Sequence, residues 1–369
     1  MRRTRILVVQ VALGALLLEA CLRLYNPLPF RLKGDTIVLP VGQVYRFDNH
    51  GTRKLDPVTK HTKNSLGFRG PDPPRDFDRR LTLLTIGGST TESLFLSDGK
   101  TWTDGLARRL ATVTPDAWVN NAGLDGQSTY GHLVLLESVV VKLRPKVALF
   151  LVGTNDIALD RANTHDGSLT AAGSRADRVR AAVVAHSAVA RLTQNLYRAF
   201  DTHKRGFGHS ELDLTTAPHL VLDERVVAKT LEKQDSYLRA YRERLVQLVQ
   251  VCRANQIEPI FVTQPALFGD SVDPVTGVDL RTVQGNGRGN GAAEWKLLER
   301  YNDVTRQAGA NQSVLLVDLA REMPKDSRFF YDFLHFTNEG SIVVADIVFR
   351  HLCPHLVTRF GLSGMCDAA

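Results

Sequence analysis

Four short stretches carry residues whose types and spacing suit acyl-transfer chemistry. The first is Ile86-Gly87-Gly88-Ser89-Thr90-Thr91-Glu92, where an apolar run ends in two glycines and a serine opens a helical pattern. A hydroxyl at that point sits among unpaired backbone N–H groups at the positive end of a helix. Its own N–H can bind the oxyanion of an acyl-transfer intermediate. Ser89 and Glu92 also spell Ser-x-x-Glu, a capping box that starts many helices for purely structural reasons.

The second stretch is Asn120-Asn121-Ala122-Gly123-Leu124-Asp125-Gly126. Glycine past a strand end allows close backbone approach, so the Gly126 N–H is a candidate second oxyanion donor. Read without chemistry, it is a plain turn. The third is Val152-Gly153-Thr154-Asn155-Asp156, whose Asn155 amide can give a fixed hydrogen bond to developing negative charge. Asn-Asp is also an ordinary turn pair. The fourth is Asp332-Phe333-Leu334-His335, the one Asp-x-x-His in the chain. A carboxylate three residues before an imidazole can hold its Nδ1–H and leave Nε2 for a serine. The order Ser, Asp, His is one known arrangement of such a triad.

These residues need elements to carry them to one place. The runs Leu81–Ile86, Trp118–Asn121, Val147–Val152, Pro259–Val262 and Val314–Val317 read as strands. Helical spacing marks Thr103–Val113, Leu133–Leu143, Tyr237–Cys252 and Trp295–Arg306. Such alternation predicts a parallel sheet with helices on both faces. Ligands of open parallel sheets bind beyond the carboxyl ends of the strands, where the first three candidates lie. Residues 157–233 break the alternation and read as a partly helical insertion. Gly285–Gly291 holds four glycines but lacks the Gly-Lys-Ser/Thr ending of a phosphate loop, so it reads as a flexible loop.

The chain resembles the SGNH, or GDSL-like, hydrolases over about residues 80 to 352. The matching blocks are Gly88-Ser89, Gly126, Asn155 and Asp332-x-x-His335. The resemblance implies a three-layer α/β/α sandwich with a five-stranded parallel sheet, a flavodoxin-like arrangement. It makes Ser89 the nucleophile, His335 the base and Asp332 the partner of His335. The Ser89 and Gly126 N–H groups and the Asn155 side chain become the oxyanion hole. Many members read Gly-Asp-Ser where this chain reads Gly87-Gly88-Ser89. Gly-Gly-Ser occurs in bacterial envelope members with one N-terminal hydrophobic segment, and Asn64-Ser65-Leu66-Gly67-Phe68-Arg69-Gly70 is similar to the stretch before their catalytic domain. The resemblance calls for no cofactor and no metal. A literal Gly269-Asp270-Ser271 has no helical pattern behind it and reads as a decoy, and Asp318 reads as structural.

The expected reaction is hydrolysis of a carboxylic ester, short-acyl or carbohydrate O-acyl, through an acyl-serine intermediate. O-acyl transfer to an envelope glycan would use the same residues. A binding or scaffold protein on a retired hydrolase fold is the reading from another class, and the intact set of polar residues opposes it. Partners on this reading are a small-molecule or glycan ester and, through the N-terminal segment, a membrane.

Arg2, Arg3 and Arg5 precede an apolar run, Ile6 to Leu18, interrupted by Glu19. Its length suits a signal-peptide core of ~7–15 residues and falls short of the ~20 of a comfortable span. Three readings stay open: an uncleaved anchor over residues 1–25, a signal cleaved after Ala20, and lipidation at Cys21 within Leu18-Glu19-Ala20-Cys21. Each exports the remainder, because the arginines stay inside. The product is membrane-anchored facing the periplasm or cell exterior, or secreted if cleaved. Residues 26–80 read as a lead-in segment, 81–352 as the hydrolase domain and 353–369 as a tail after a helix stopped by Pro354.

The chain has 369 residues, 43% hydrophobic and 23% charged, a globular composition that excludes wholesale disorder. Its net charge of +7 is scattered, with no basic block interleaved with aromatics, so no nucleic-acid partner is expected. The four cysteines form no Cys-x-x-Cys. His351, Cys353 and His355 alternate but read as a helix end rather than ligands, and a Cys353–Cys366 pair is left open.

Overall fold

The computed structural model describes residues 2–24, 32–33, 36–37, 39–49, 52–162, 165–166, 179, 183, 186–190, 192–193, 211–285 and 289–366. The chain divides into two compact units, one of residues 1–40 with 167–208, the other of 41–166 with 209–369.

The larger unit is built on a five-stranded parallel sheet, ordered from edge to edge Trp118–Asn121, Thr82–Gly87, Val147–Val152, Glu258–Thr263, Leu315–Val317. The strands are β5 (Thr82–Gly87), β6 (Trp118–Asn121), β7 (Val147–Val152), β8 (Glu258–Thr263) and β9 (Leu315–Val317). Every residue of β5 and β7 is buried, as expected where helices cover both faces of a parallel sheet. That is why β7 reads as a continuous apolar run and β5 as a mostly apolar one, broken only by Thr82 and Thr85, rather than as alternating strands. On one side, helix Trp102–Val113 packs with helix Asn338–Phe360; on the other, helix Asp235–Ala254 packs with Thr129–Leu135 and Gly291–Asn311. The order reverses between β5 and β7, which opens a crevice at their carboxyl ends. Ser89 follows β5 there and Asn155 follows β7.

Two boundaries differ from the sequence reading. Helix Asn338–Phe360 runs through Pro354 instead of stopping before it, so residues 353–360 are not a tail. A mid-helix proline costs about 3 kcal/mol, yet Leu352, Cys353 and Leu356 stay fully buried on the core side, and that burial carries the helix on. Cys353 forms a disulfide with Cys366. His351 and His355 turn to Glu322 and Glu258, so the three do not converge. The second difference is in the lead-in. From Val41 onward it belongs to the larger unit, as an antiparallel hairpin of β3 (Val44–Asp48) and β4 (Val58–Thr62) followed by a buried Phe68 and Arg69. The glycine-rich run lies partly outside the described residues, at 286–288; its last glycine opens helix Gly291–Asn311, capped by the Asn290 side chain.

The smaller unit contains helix Arg2–Leu24 and the short pair β1 (Leu32–Lys33) and β2 (Thr36–Ile37). Glu19, the charge inside the apolar run, accepts hydrogen bonds from Ser187 Oγ and the Ala188 and Val189 N–H groups at 2.8–3.0 Å. Arg23 donates to Glu19 and to the His186 carbonyl. Leu13, Leu16, Leu17 and Leu24 are exposed. Among the described residues, the helix long and apolar enough to cross a bilayer is Asn338–Phe360, and more than half of it is buried in the core.

Candidate active site

Gly88 occupies the cap position of the four-residue helix Ser89–Glu92, and Ser89 is its first residue. The Glu92 side chain does not return to that end, so no capping box forms; it points instead to Lys63, 2.9 Å away. Ser89 is therefore not occupied as a cap, and its hydroxyl faces an imidazole. His335 Nε2 lies 2.7 Å from Ser89 Oγ, across 246 residues of sequence. His335 Nδ1 lies 2.6 Å from Asp332 Oδ2.

The Asp332–His335 pair is made locally. Asp332 Oδ1 accepts the Leu334 and His335 backbone N–H groups at 2.8 and 2.7 Å, which folds the four residues into a tight turn. Tyr331 N–H donates to the His335 carbonyl, and Phe330 and Phe336 close the base of the loop with packed rings. The Tyr331 ring stacks on the His335 ring at 5.5 Å and 14°. Imidazole position is thus fixed by a carboxylate at one edge, an aromatic face and the loop itself. Burial alone would raise the Asp332 carboxyl, but the His335 ring and the two N–H donors outweigh it and hold the group below the ordinary carboxylate range. An ionised partner keeps Nδ1 as donor and Nε2 as acceptor, the tautomer that can take a hydroxyl proton.

Gly126 lies in the turn after β6 with φ of +71°, a conformation glycine adopts freely. A side chain there would meet the ring of His165. Asn155 Nδ2 donates to the Gln127 carbonyl at 2.9 Å, which ties the third block to the turn that carries Gly126. The same amide lies directly against Gly88, in the space a β-carbon would fill. A β-carbon at 88 would meet that amide in its present place.

Behind Asn155 lies a buried network. Asp156 and Arg244, 1% and 4% exposed, approach to 3.1 Å. Arg244 Nε donates to Thr129 Oγ1 at 2.7 Å, and Thr129 in turn donates to Asp156. Burial pushes the Asp156 carboxyl upward against the pull of Arg244 and Thr129. Arg244 also covers the Tyr130 ring at 4.0 Å. The third block, the helix after Gly126 and helix Asp235–Ala254 are thereby joined.

Beside Ser89 a recess of about 10 Å³ is lined by Thr90, Ser93, Phe95, Leu96, Tyr331 and Phe336. That is about the room of one water-sized group. The hydroxyl of Ser271 in the decoy motif donates to the Val272 carbonyl, at 3.4 Å. Asp318 is held by Thr263 and Arg306. Lys63 and Arg69, which contact the helix that begins with Ser89, carried no signal of that contact in the sequence. Asn64 to Gly70 stood out as a motif, yet nothing in a sequence tells which element a lysine or arginine of such a segment will touch. Among the described residues, no group of three or more His, Cys, Asp or Glu side chains is arranged to hold a metal ion.

A sequence comparison with known families matches residues 85–341 to the GDSL-like Lipase/Acylhydrolase family. The chain belongs to that family. It is an ester-hydrolysing enzyme on the SGNH fold. No curated protein matches it. Similar solved structures include an acetyl xylan esterase, AlAXEase, at 15% identity and TM-score 0.40, covering 72% of this chain and 97% of that one. Axe2, an acetylxylan esterase from Geobacillus stearothermophilus, aligns at 15% identity and TM-score 0.41 over 73% of this chain and 93% of its own. LAE5, an alpha/beta hydrolase from the metagenome of Lake Arreo, aligns at 16% identity and TM-score 0.40 over 72% and 92%.

Proposed function

We propose that this enzyme hydrolyses short-acyl esters, carbohydrate O-acyl esters among them, through an acyl-serine intermediate. One observation carries the reading: the 2.7 Å approach of His335 Nε2 to Ser89 Oγ, with Asp332 on the opposite nitrogen. His335 takes the Ser89 proton as the hydroxyl oxygen attacks the ester carbonyl. The carbonyl oxygen gains negative charge and is met by the Ser89 and Gly126 N–H groups and the Asn155 amide. Collapse of this intermediate expels the alcohol, which takes the proton from His335. Water then repeats the sequence and releases the acid. The small recess beside Ser89 supports an acyl group of very few carbons.

Ser89→Ala is expected to leave the protein folded and lower kcat on a short-chain aryl ester by as much as ~10⁶. A variant with unchanged turnover would remove Ser89 from the mechanism.

We also propose that the enzyme works outside the cytoplasm, held by helix Arg2–Leu24. The arginines before the apolar run support that orientation, and the Cys353–Cys366 disulfide fits an oxidising compartment. Glu19 is matched by the N–H groups at 188 and 189, which supports retention of the helix rather than cleavage after Ala20.

A further inference from the structure

Helix Ser89–Glu92 is too short to hold itself. One turn of helix in water does not offset the entropy of ordering it, and its last carbonyls need partners. Arg69 supplies them. Its guanidinium, in a residue 3% exposed, donates to the carbonyls of Glu92 and Ser93 at 2.8 and 2.6 Å and to that of Leu96 at 2.8 Å. Asn64, five residues earlier, shapes the approach: its Oδ1 accepts the Leu66 and Phe68 N–H groups and its Nδ2 donates to Asn120 Oδ1. Arg69 also exchanges backbone hydrogen bonds with Asn121, at the end of β6.

Glu92 makes a second connection from the same helix. Its carboxylate is 1% exposed and faces Lys63, also 1% exposed, at 2.9 Å. The other carboxylate oxygen accepts the Asp125 N–H at 2.6 Å, one residue before Gly126. A buried ion pair is poor at adding stability, because desolvating two charges offsets most of their attraction. This one joins the helix that begins with Ser89 to the turn that contains Gly126.

We propose that Glu92, with its charge balanced by Lys63, is a positioning residue that fixes the Gly126 turn relative to the Ser89 hydroxyl. The proposal rests on the reading of Ser89 as nucleophile and Gly126 as oxyanion donor. Glu92 itself touches no substrate. It acts by holding a donor at the distance the oxyanion requires, and a misplacement of about 1 Å there costs on the order of 10²-fold in rate.

Two double variants of the full chain separate this role from bulk stability. K63M/E92Q removes both charges and keeps an acceptor for the Asp125 N–H. K63M/E92M removes the acceptor as well and fills the space with apolar groups, a change that buried ion pairs tolerate. With 4-nitrophenyl acetate as substrate, K63M/E92M is expected to lose about 10- to 100-fold in kcat with KM changed less than about threefold. K63M/E92Q should stay within a few-fold of the parent, and the thermal midpoints of the two should agree. Wild-type kcat in K63M/E92M, or equal losses in both, would overturn the proposal. Asp125→Pro deletes the donor from the loop side without touching the buried pair; it should reproduce the kcat loss, and a fully active Asp125→Pro enzyme would equally overturn the role. Ser89→Ala distinguishes the two levels, since activity surviving there refutes the nucleophile, whereas an inactive Ser89→Ala beside an unaffected K63M/E92M refutes only the brace.

Discussion

At the scale of single residues, the proposed chemistry rests on small distances. Asp332 and His335 were legible because the contact between them is local: a carboxylate accepting N–H groups two and three residues ahead forms the turn that presents the ring. Ser89 was legible because a strand, two glycines and a helix start lead to it. Gly88 was legible only as a departure from Gly-Asp-Ser; that a β-carbon there would meet Asn155, 67 positions away, was not. Backbone strain is not the issue, since φ at Gly88 is −84°. Gly88→Asp should therefore push the Asn155 amide off its site while leaving Ser89 and His335 in contact. The expected outcome is a folded enzyme with kcat reduced by about 10²-fold, the usual loss for one oxyanion donor. Full activity in Gly88→Asp would mean that the amide has room to move without consequence.

At the scale of elements, the parallel sheet was readable from buried, mostly apolar runs, because strands covered on both faces lose the alternation of a half-exposed sheet. Two things were not. The proline rule ended helix Asn338–Phe360 too early, since tertiary burial of Leu352 and Leu356 overrides a local preference. The hairpin of β3 and β4 read only as part of a lead-in, because the segment that follows it meets the helix of Ser89 through buried polar contacts of Lys63 and Arg69 that leave no periodic trace. Helix Thr129–Leu135 carries a further hidden feature. His132 is 1% exposed, and burial lowers its pKa from 6.5 to about 3. Between those values the unfolded chain binds a proton that the folded chain does not, so stability falls as pH drops from about 6.5 towards 3. His132→Leu removes that proton uptake. Its stability relative to the parent should improve steadily across that interval in urea titrations at stepped pH. A difference that stays constant with pH would show that His132 is not buried neutral.

At the scale of the whole molecule, the apolar N-terminal run left cleavage, lipidation and anchoring all open, with anchoring ahead, because Glu19 obscures its length. The contacts of Glu19 with residues 187–189 lie far away in sequence and favour a retained helix. Intact-mass measurement on the membrane fraction of cells expressing the full chain should find residues 1–20 still attached. A mature chain beginning at Cys21 would contradict retention. In the larger unit the reversal of strand order between β5 and β7, the segment after the hairpin and the Asp332 turn meet around Ser89.

Fluorophosphonate labelling followed by peptide mapping tests that convergence most directly, because the reagent bonds to a serine whose proton a neighbouring base can remove. The account predicts a single adduct on the peptide containing Ser89, formed rapidly in the parent and almost absent in His335→Ala. An adduct on another serine, or labelling of Ser89 undiminished when His335 is gone, would contradict it.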